Sequence, residues 1–227
     1  MLIQNGRRGG LIDIFNREFS KITHKKKIDY FFVFGEGIKK KYSKFVDAKY
    51  FCCGSIKNNF YKNENKKNLQ NKVMFISQFR HNQSDYKFKR KVFNYDEIYK
   101  NEKKLIFELY KFCKLRGLDL HILPSQIKSS KYFKDEIKSF EENKIDLKDI
   151  KILIKNNRHD SYKYLNNFDI IFGLDSTLLY ECIPRNKKVA SFSRFKNISS
   201  YSFAWPINQK KRGFFFSNII NQNEIRR

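Results

Sequence analysis

The chain has 227 residues, 48 basic against 23 acidic, which gives a formal net charge of +25 and a pI near 9.9. Hydrophobic residues make up 41% and aromatics 17% of it, enough apolar volume for a packed core, so global disorder is excluded despite a mean hydropathy of -0.68. A length of this order allows one large domain or two small ones, and no window approaches the run of about 18 apolar residues that a spanning helix needs.

In chain order the periodicity alternates short β-rich runs with helical ones, an α/β signature. A strand is expected at Leu2–Gln4, a turn at Asn5-Gly6, a helix near Leu11–Lys21, a strand at Asp29–Phe34 and a basic helix near Ile38–Phe45. Ala48–Cys53 reads as a strand ending in Gly54-Ser55, and the Asn- and Lys-rich stretch 57–72 reads as a linker. The pattern restarts with Val73–Ile76, a buried-strand run, and residues 81–94 read as a loop. Helix Asp96–Leu115 carries an apolar stripe at Ile98, Leu105, Leu109 and Phe112, closed by Arg116-Gly117. Strand Leu118–Leu123, helix Ser130–Phe140, strand Ile150–Ile154, helix Ser161–Asn166, strand Asp169–Phe172, helix Ser176–Ile183 and strand Lys188–Phe192 follow. Five strands with intervening helices make a Rossmann-like sheet. The expected division is a partial N-terminal α/β domain over 1–60, a linker over 61–72, a Rossmann-like domain over 73–200, and a segment over 201–227 that packs back.

The charge has a compositional component, since 36 Lys stand against 12 Arg alongside 22 Asn and 25 Ile, all residues with A/T-rich codons. Lys is a hydrated point charge and Arg the better bidentate reader, so the excess argues only weakly for a basic nucleic-acid-binding module, which is kept as an alternative. The four cysteines, Cys52, Cys53, Cys113 and Cys182, lack zinc-site spacing, and none of the four histidines has a metal-ligand partner in sequence. No metal site is expected. The expected compartment is the cytoplasm, with attachment at the inner face of the membrane if the runs Lys25–Lys27, Lys39–Lys41 and Lys87–Lys91 share a surface facing acidic lipid.

Open parallel sheets bind ligands beyond the carboxyl ends of their strands. There the sequence has no G-x-G-x-x-G and no G-x-x-x-x-G-K-[ST]. It does have Phe168–Gly173 running into Leu174-Asp175-Ser176-Thr177, where an apolar strand turns into a helix whose free amides and hydroxyls suit a phosphate or pyrophosphate. Glu181, five residues after Ser176, is placed to accept hydrogen bonds from ribose hydroxyls. The competing reading is a capped helix with Asp175 or Ser176 as N-cap and Glu181 solvated. Weaker candidates are Arg80 after the first strand of the second half, Gly54 and Ser55 with Asn58 and Asn59, and Arg158, His159 and Ser161 before a helix. His121, within a strand, reads as a core or satisfied histidine. Phe203, Trp205-Pro206 and Phe214–Phe216 read as a segment packing over the sheet rather than as a stacking platform.

Taken in order, Ile3–Arg7, Asp29–Gly35, Gly54–Asn59, Phe75–Arg80, Asp175–Glu181, Phe203–Pro206 and Lys211–Phe215 resemble GT-B glycosyltransferases, in particular bacterial surface-carbohydrate (O-antigen type) biosynthesis proteins. The resemblance implies two Rossmann-like domains facing a cleft, the C-terminal one holding a nucleotide-sugar donor, with transfer of the sugar to a glycan or lipid-linked acceptor. It implies that Ser176 and Thr177, with Asp175, hold the nucleotide diphosphate, that Arg80 assists and that Glu181 fixes the ribose. Gly54, Ser55, Asn59, Arg158 and Ser161 would line the cleft. The nucleotide-sugar is a substrate, no cofactor is implied, and the absence of a D-x-D motif fits metal independence. Ile3 arrives early for such a chain, so the N-terminal domain is expected to be shortened and the chain to be either active or a donor-binding fragment without turnover. Ile183–Asn186 stands where similar sequences often carry a small residue and Gly, which is expected to alter the turn and spare the phosphate contacts.

Overall fold

The computed structural model describes residues 1–3, 24–63, 71–79, 86–88, 91–93, 95–174, 176–192, 214–217 and 219–226. They group into two compact units that divide between Lys62 and Asn63.

In the first unit, β1 (Leu2–Ile3), β2 (Lys26–Val33) and β3 (Val46–Cys52) form a parallel sheet in that order, and helix α1 (Glu36–Tyr42) links β2 to β3. The aromatic and β-branched residues of β2 favour a pleated surface. Phe31, Val33 and Val46 point to one side and bury themselves with Tyr42 of α1, the Phe31 and Tyr42 rings meeting edge to face at 4.6 Å. The expected helix near 11–21 lies outside the described residues. The stretch expected to be a linker from 57 onwards opens with a helical turn, α2 (Ile56–Asn59), because Ser55 caps it by accepting the Asn58 amide at 3.3 Å.

The second unit is built on a six-stranded sheet. Its strands are β4 (Lys72–Ile76), β7 (Asp119–Leu123), β8 (Ile150–Ile152), β9 (Ile170–Gly173), β10 (Lys188–Phe192) and β11 (Phe214–Ser217), and every pairing among them is parallel. A separate antiparallel pair, β5 (Tyr86–Phe88) and β6 (Lys91–Phe93), occupies the stretch expected to be a loop. The order β11-β10-β9-β4-β7-β8 puts the first strand in the middle, with its two successors on one side and the last three on the other. That is the 3-2-1-4-5-6 order of a Rossmann sheet, read from the opposite edge. The expected α/β, Rossmann-like class is therefore what the chain adopts, with a sixth strand in place of five. Phe214–Ser217 does not pack over the sheet but extends it beside β10.

Alternation along each strand separates two buried layers. Val73, Phe75, Leu120, Ile122, Phe172 and Phe192 meet Leu105, Ile106, Leu109 and Cys113 of α3 (Tyr95–Arg116), Phe140 of α4 (Phe133–Glu142) and Ile225 of α7 (Gln222–Arg226). The residues between them, Met74, His121, Ile171 and Val189, lie on the other face, where α5 (Asp160–Leu165) and α6 (Thr177–Cys182) connect β8 to β9 and β9 to β10. Each fully buried Leu, Ile or Phe of these layers contributes about 1.5–3 kcal/mol. Helix α7 is fixed to α3 by Gln222, whose Nε2 donates to the Glu108 carbonyl at 2.6 Å and to its Oε2 at 2.7 Å.

After α6 the chain makes a 3-10 turn over Ile183–Arg185 and leaves it through Asn186, at φ 57 and ψ 28 in the left-handed region. Asn tolerates that region better than most L-residues, and Gly adopts it without strain. Asn186→Gly is accordingly expected to leave the unfolding free energy within about 0.5 kcal/mol of the parent, and Asn186→Val to lower it by about 1–2 kcal/mol. Paired thermal melts check both.

Candidate functional site

The strand order reverses between β4 and β9, and in open α/β sheets the carboxyl ends of the strands at such a reversal are where ligands bind. The two strands approach closely there because Gly173 ends β9. A Cβ at that position would lie 3.3 Å from the Ile76 carbonyl oxygen and 3.2 Å from Leu179 Cδ1. The missing side chain thus seats β9 against β4 and α6 against both.

From β9 the chain passes Leu174 to Ser176. Ser176 is the N-cap of α6; its Oγ accepts the Leu178 amide at 3.3 Å and its carbonyl accepts the Leu179 amide at 3.1 Å. Ser176 and Thr177 are both half-buried. Glu181, further along α6, is 6% exposed, and its Oε2 accepts a hydrogen bond of 2.9 Å from the hydroxyl of Tyr162 on α5. It is therefore neither solvated nor isolated. Asp175 and Arg80 lie outside the described residues.

Beyond β8, Asp160 organises the turn into α5. Its carboxylate accepts from the Asn156 amide at 2.9 Å, the Asn157 amide at 3.1 Å and Lys163 Nζ at 3.1 Å. These donors, the Asn157 amide above all, hold its carboxyl at about 2, below the usual carboxylate range. Arg158 in the same turn is exposed and Ser161 is buried. Gly54, Ser55 and Asn59 sit together in the first unit at the carboxyl end of β3. Gly54 has φ +69, a conformation that favours glycine, and the Asn59 side chain donates to the Cys53 carbonyl at 2.9 Å. Among the described residues no group of three or more His, Cys, Asp or Glu is disposed to hold a metal ion.

The structure also assembles polar residues that the sequence did not single out. Beside Ser77, which follows β4, lie Glu102 of α3, Glu136 of α4, Ser125 and Gln126 after β7, and Lys155 after β8. Glu136 is fully buried, and burial pushes its carboxyl above the ordinary value against the hydrogen bonds it receives. Lys155, 5% exposed, is pushed down by burial in the same way.

A model of the family described as "putative O-antigen biosynthesis protein" matches residues 1–227. The chain belongs to this O-antigen biosynthesis family. No curated protein matches it. In this O-antigen biosynthesis protein, helix α6, which follows β9, is capped by a hydroxyl residue and carries no acidic side chain in its first turn. No helix among its described residues is long and apolar enough to cross a membrane.

Proposed function

We propose that this O-antigen biosynthesis protein is a GT-B-like glycosyltransferase, which takes a sugar from a nucleotide-sugar donor bound between β4 and β9 and passes it to a glycan or lipid-linked acceptor. The observation that carries the reading is the Rossmann strand order, which reverses between β4 and β9, the strands that Ser77–Phe79 and Ser176-Thr177 follow, in a member of an O-antigen family.

In this reading the work is electrostatic. Ser176 Oγ accepts the Leu178 amide and has its own O–H to donate to a phosphate oxygen, next to the Thr177 hydroxyl and the opening of α6. Arg80, one residue beyond Phe79 in sequence, adds a formal positive charge as the sugar leaves, and Asp175 belongs to the same donor-binding segment. Preorganised donors of this kind stabilise a departing diphosphate without a metal ion. Glu181 takes the ribose hydroxyls, held in place from α5 by Tyr162. Arg158 and Ser161 border the donor from the β8 end. The Lys25–Lys27 and Lys39–Lys41 runs attract the protein to acidic lipid, where a lipid-linked acceptor resides.

Calorimetric titration of the full chain with a panel of nucleoside diphosphates tests this. Saturable, base-selective binding is expected, weakened at least tenfold in the double variant Ser176→Ala, Thr177→Val. Losing the cap costs α6 about 1 kcal/mol, so the unfolding curve of the variant is recorded beside the titration. Absence of saturable binding by any member of the panel overturns the proposal, as does binding that the double variant leaves unchanged. Sugar release from a labelled donor, with lipid-linked acceptor present, then separates a transferase from a donor-binding protein.

A further inference from the structure

The sheet of the first unit turns an aromatic face to solvent. Register sets Ile3 beside Phe32, Phe32 beside Phe51, Tyr30 beside Lys49, and Lys27 beside Asp47 at the amino end. Residues paired in this way share one side of the sheet, and the alternation puts Phe31, Val33 and Val46 on the other, where Tyr42 of α1 packs with them. On the outer side the Phe32 and Phe51 rings stack at 5.1 Å with an interplanar angle of 17°, and Tyr30 meets Phe51 at 6.2 Å. Lys49 Nζ lies over the same ring, 5.6 Å from its centroid. Ile3 is 47%, Tyr30 48% and Phe51 37% exposed.

Such exposure calls for an occupant. All-parallel sheets are ordinarily covered on both faces, and adjoining large apolar residues left in water mark a surface for protein or membrane contact. The surrounding charge selects among them. Residues 24–62 hold ten lysines, no arginine and three acidic residues. A second copy seated face to face would bring two strongly positive surfaces together, which opposes self-association. Single-stranded nucleic acid stacks on rings of this kind, but this stretch has none of the planar guanidinium groups best suited to bases and phosphates. An acidic bilayer matches both features. Aromatic rings settle at its headgroup level, a lysine stem lies along apolar surface with its ammonium in the polar layer, and the anionic leaflet attracts the lysines.

We infer that this face seats the protein on an acidic lipid surface, with Ile3, Tyr30, Phe32 and Phe51 at the boundary of headgroups and acyl chains and with Lys27 and Lys49 against lipid phosphates. The inference rests on the attraction to acidic lipid proposed above and adds the surface that makes the contact; the nucleotide-sugar site plays no part in it. Attraction by exposed lysines alone is screened by salt. Burial of rings is not, so the bound state keeps a component that survives added salt.

The test is co-sedimentation of the full chain with vesicles of phosphatidylcholine alone and of phosphatidylcholine mixed with phosphatidylglycerol, at low and at high salt. Tighter binding to the mixed vesicles is expected, weakened about tenfold or more in the double variant Tyr30→Ser, Phe51→Ser, because each ring withdraws apolar area from water. The salt-resistant part should vanish in that variant. A lipid with a photoreactive acyl chain, applied to the unaltered protein, should attach to peptides that contain Tyr30–Phe32 or Phe51, so the inference is tested even if the variant does not fold. Anionic-vesicle binding that the variant leaves unchanged, or attachment only elsewhere, overturns the docking face and leaves the attraction by lysines standing. No binding to anionic vesicles overturns both, and the nucleoside diphosphate titration is unaffected. A dimer that the variant dissociates, or single-stranded DNA that displaces the vesicles from the same rings, overturns the inference in favour of a second copy or of nucleic acid.

Discussion

Glu136→Ala is expected to lower the unfolding free energy of the second unit by about 3–5 kcal/mol, the range for removing one partner from a buried charged network. Its carboxyl is fully buried and receives the Ser125 and Gln126 amides. Alanine leaves those two amides without their acceptor and removes the carboxylate that acts on Lys155, and each stranded donor costs about 1–3 kcal/mol unless water enters. The loss should be local before it is global. Amide hydrogen exchange at Gln78, Ser125 and Gln126 is expected to accelerate under conditions where the β4 and β9 amides stay protected. Urea unfolding at pH 6 reads the total. A cost below about 1 kcal/mol would show that the loops stand without the carboxyl.

The second large effect runs the other way. His121 takes the core position that its place in a strand implies: the ring is 7% exposed, and neither Nδ1 nor Nε2 has a hydrogen-bond partner among the described residues. It packs edge to face on Phe168 at 4.9 Å, a contact that an apolar side chain reproduces. His121→Leu is therefore expected to raise the unfolding free energy by about 1–3 kcal/mol, because it removes two unpaired buried nitrogens. For a unit of this size each kcal/mol raises Tm by about 2–4 °C. The gain should depend on pH. Burial, assisted by Lys151 and Lys72, pushes the imidazole below its ordinary value. The unfolded chain thus takes up a proton before the folded one does, and parental stability falls as pH drops below about 6.5. The leucine variant should lose that acid limb and gain most at pH 5. Equal melting temperatures at pH 5 and pH 7.5 would refute the assignment.

The two variants mark where sequence reading succeeds and where it stops. Short apolar runs such as Val73–Ile76 and Ile170–Phe172 identify central strands because a strand buried on both faces has no polar positions to blur it. Ser176 was legible as a cap or phosphate ligand because a hydroxyl residue ahead of Thr177–Cys182 is a local signal, and its contact with Leu178 is local too. β5 and β6 were overlooked although Tyr86, Phe88 and Lys87 alternate, since the surrounding Lys-rich composition reads as loop. Glu102 and Glu136 carried no signal at all. An acidic residue on a helix ordinarily faces water, and what buries these two is a serine 25 residues from one and 59 from the other. Tyr162 and Glu181, 19 residues apart on different helices, are hidden for the same reason.

The strand order also constrains how the chain is made. β4 is flanked by β7 and β9, and Val73 pairs with Ile170, about a hundred residues further on. At translation speeds of about 5–20 residues per second, the ribosome needs roughly 5–20 s after β4 emerges before that partner exists. Throughout this interval one rim of the buried strand β4 faces solvent, a template for unwanted pairing with neighbouring nascent chains. Slowed elongation between β7 and β9 is thus expected to raise the insoluble fraction, whereas pausing after residue 192 should not.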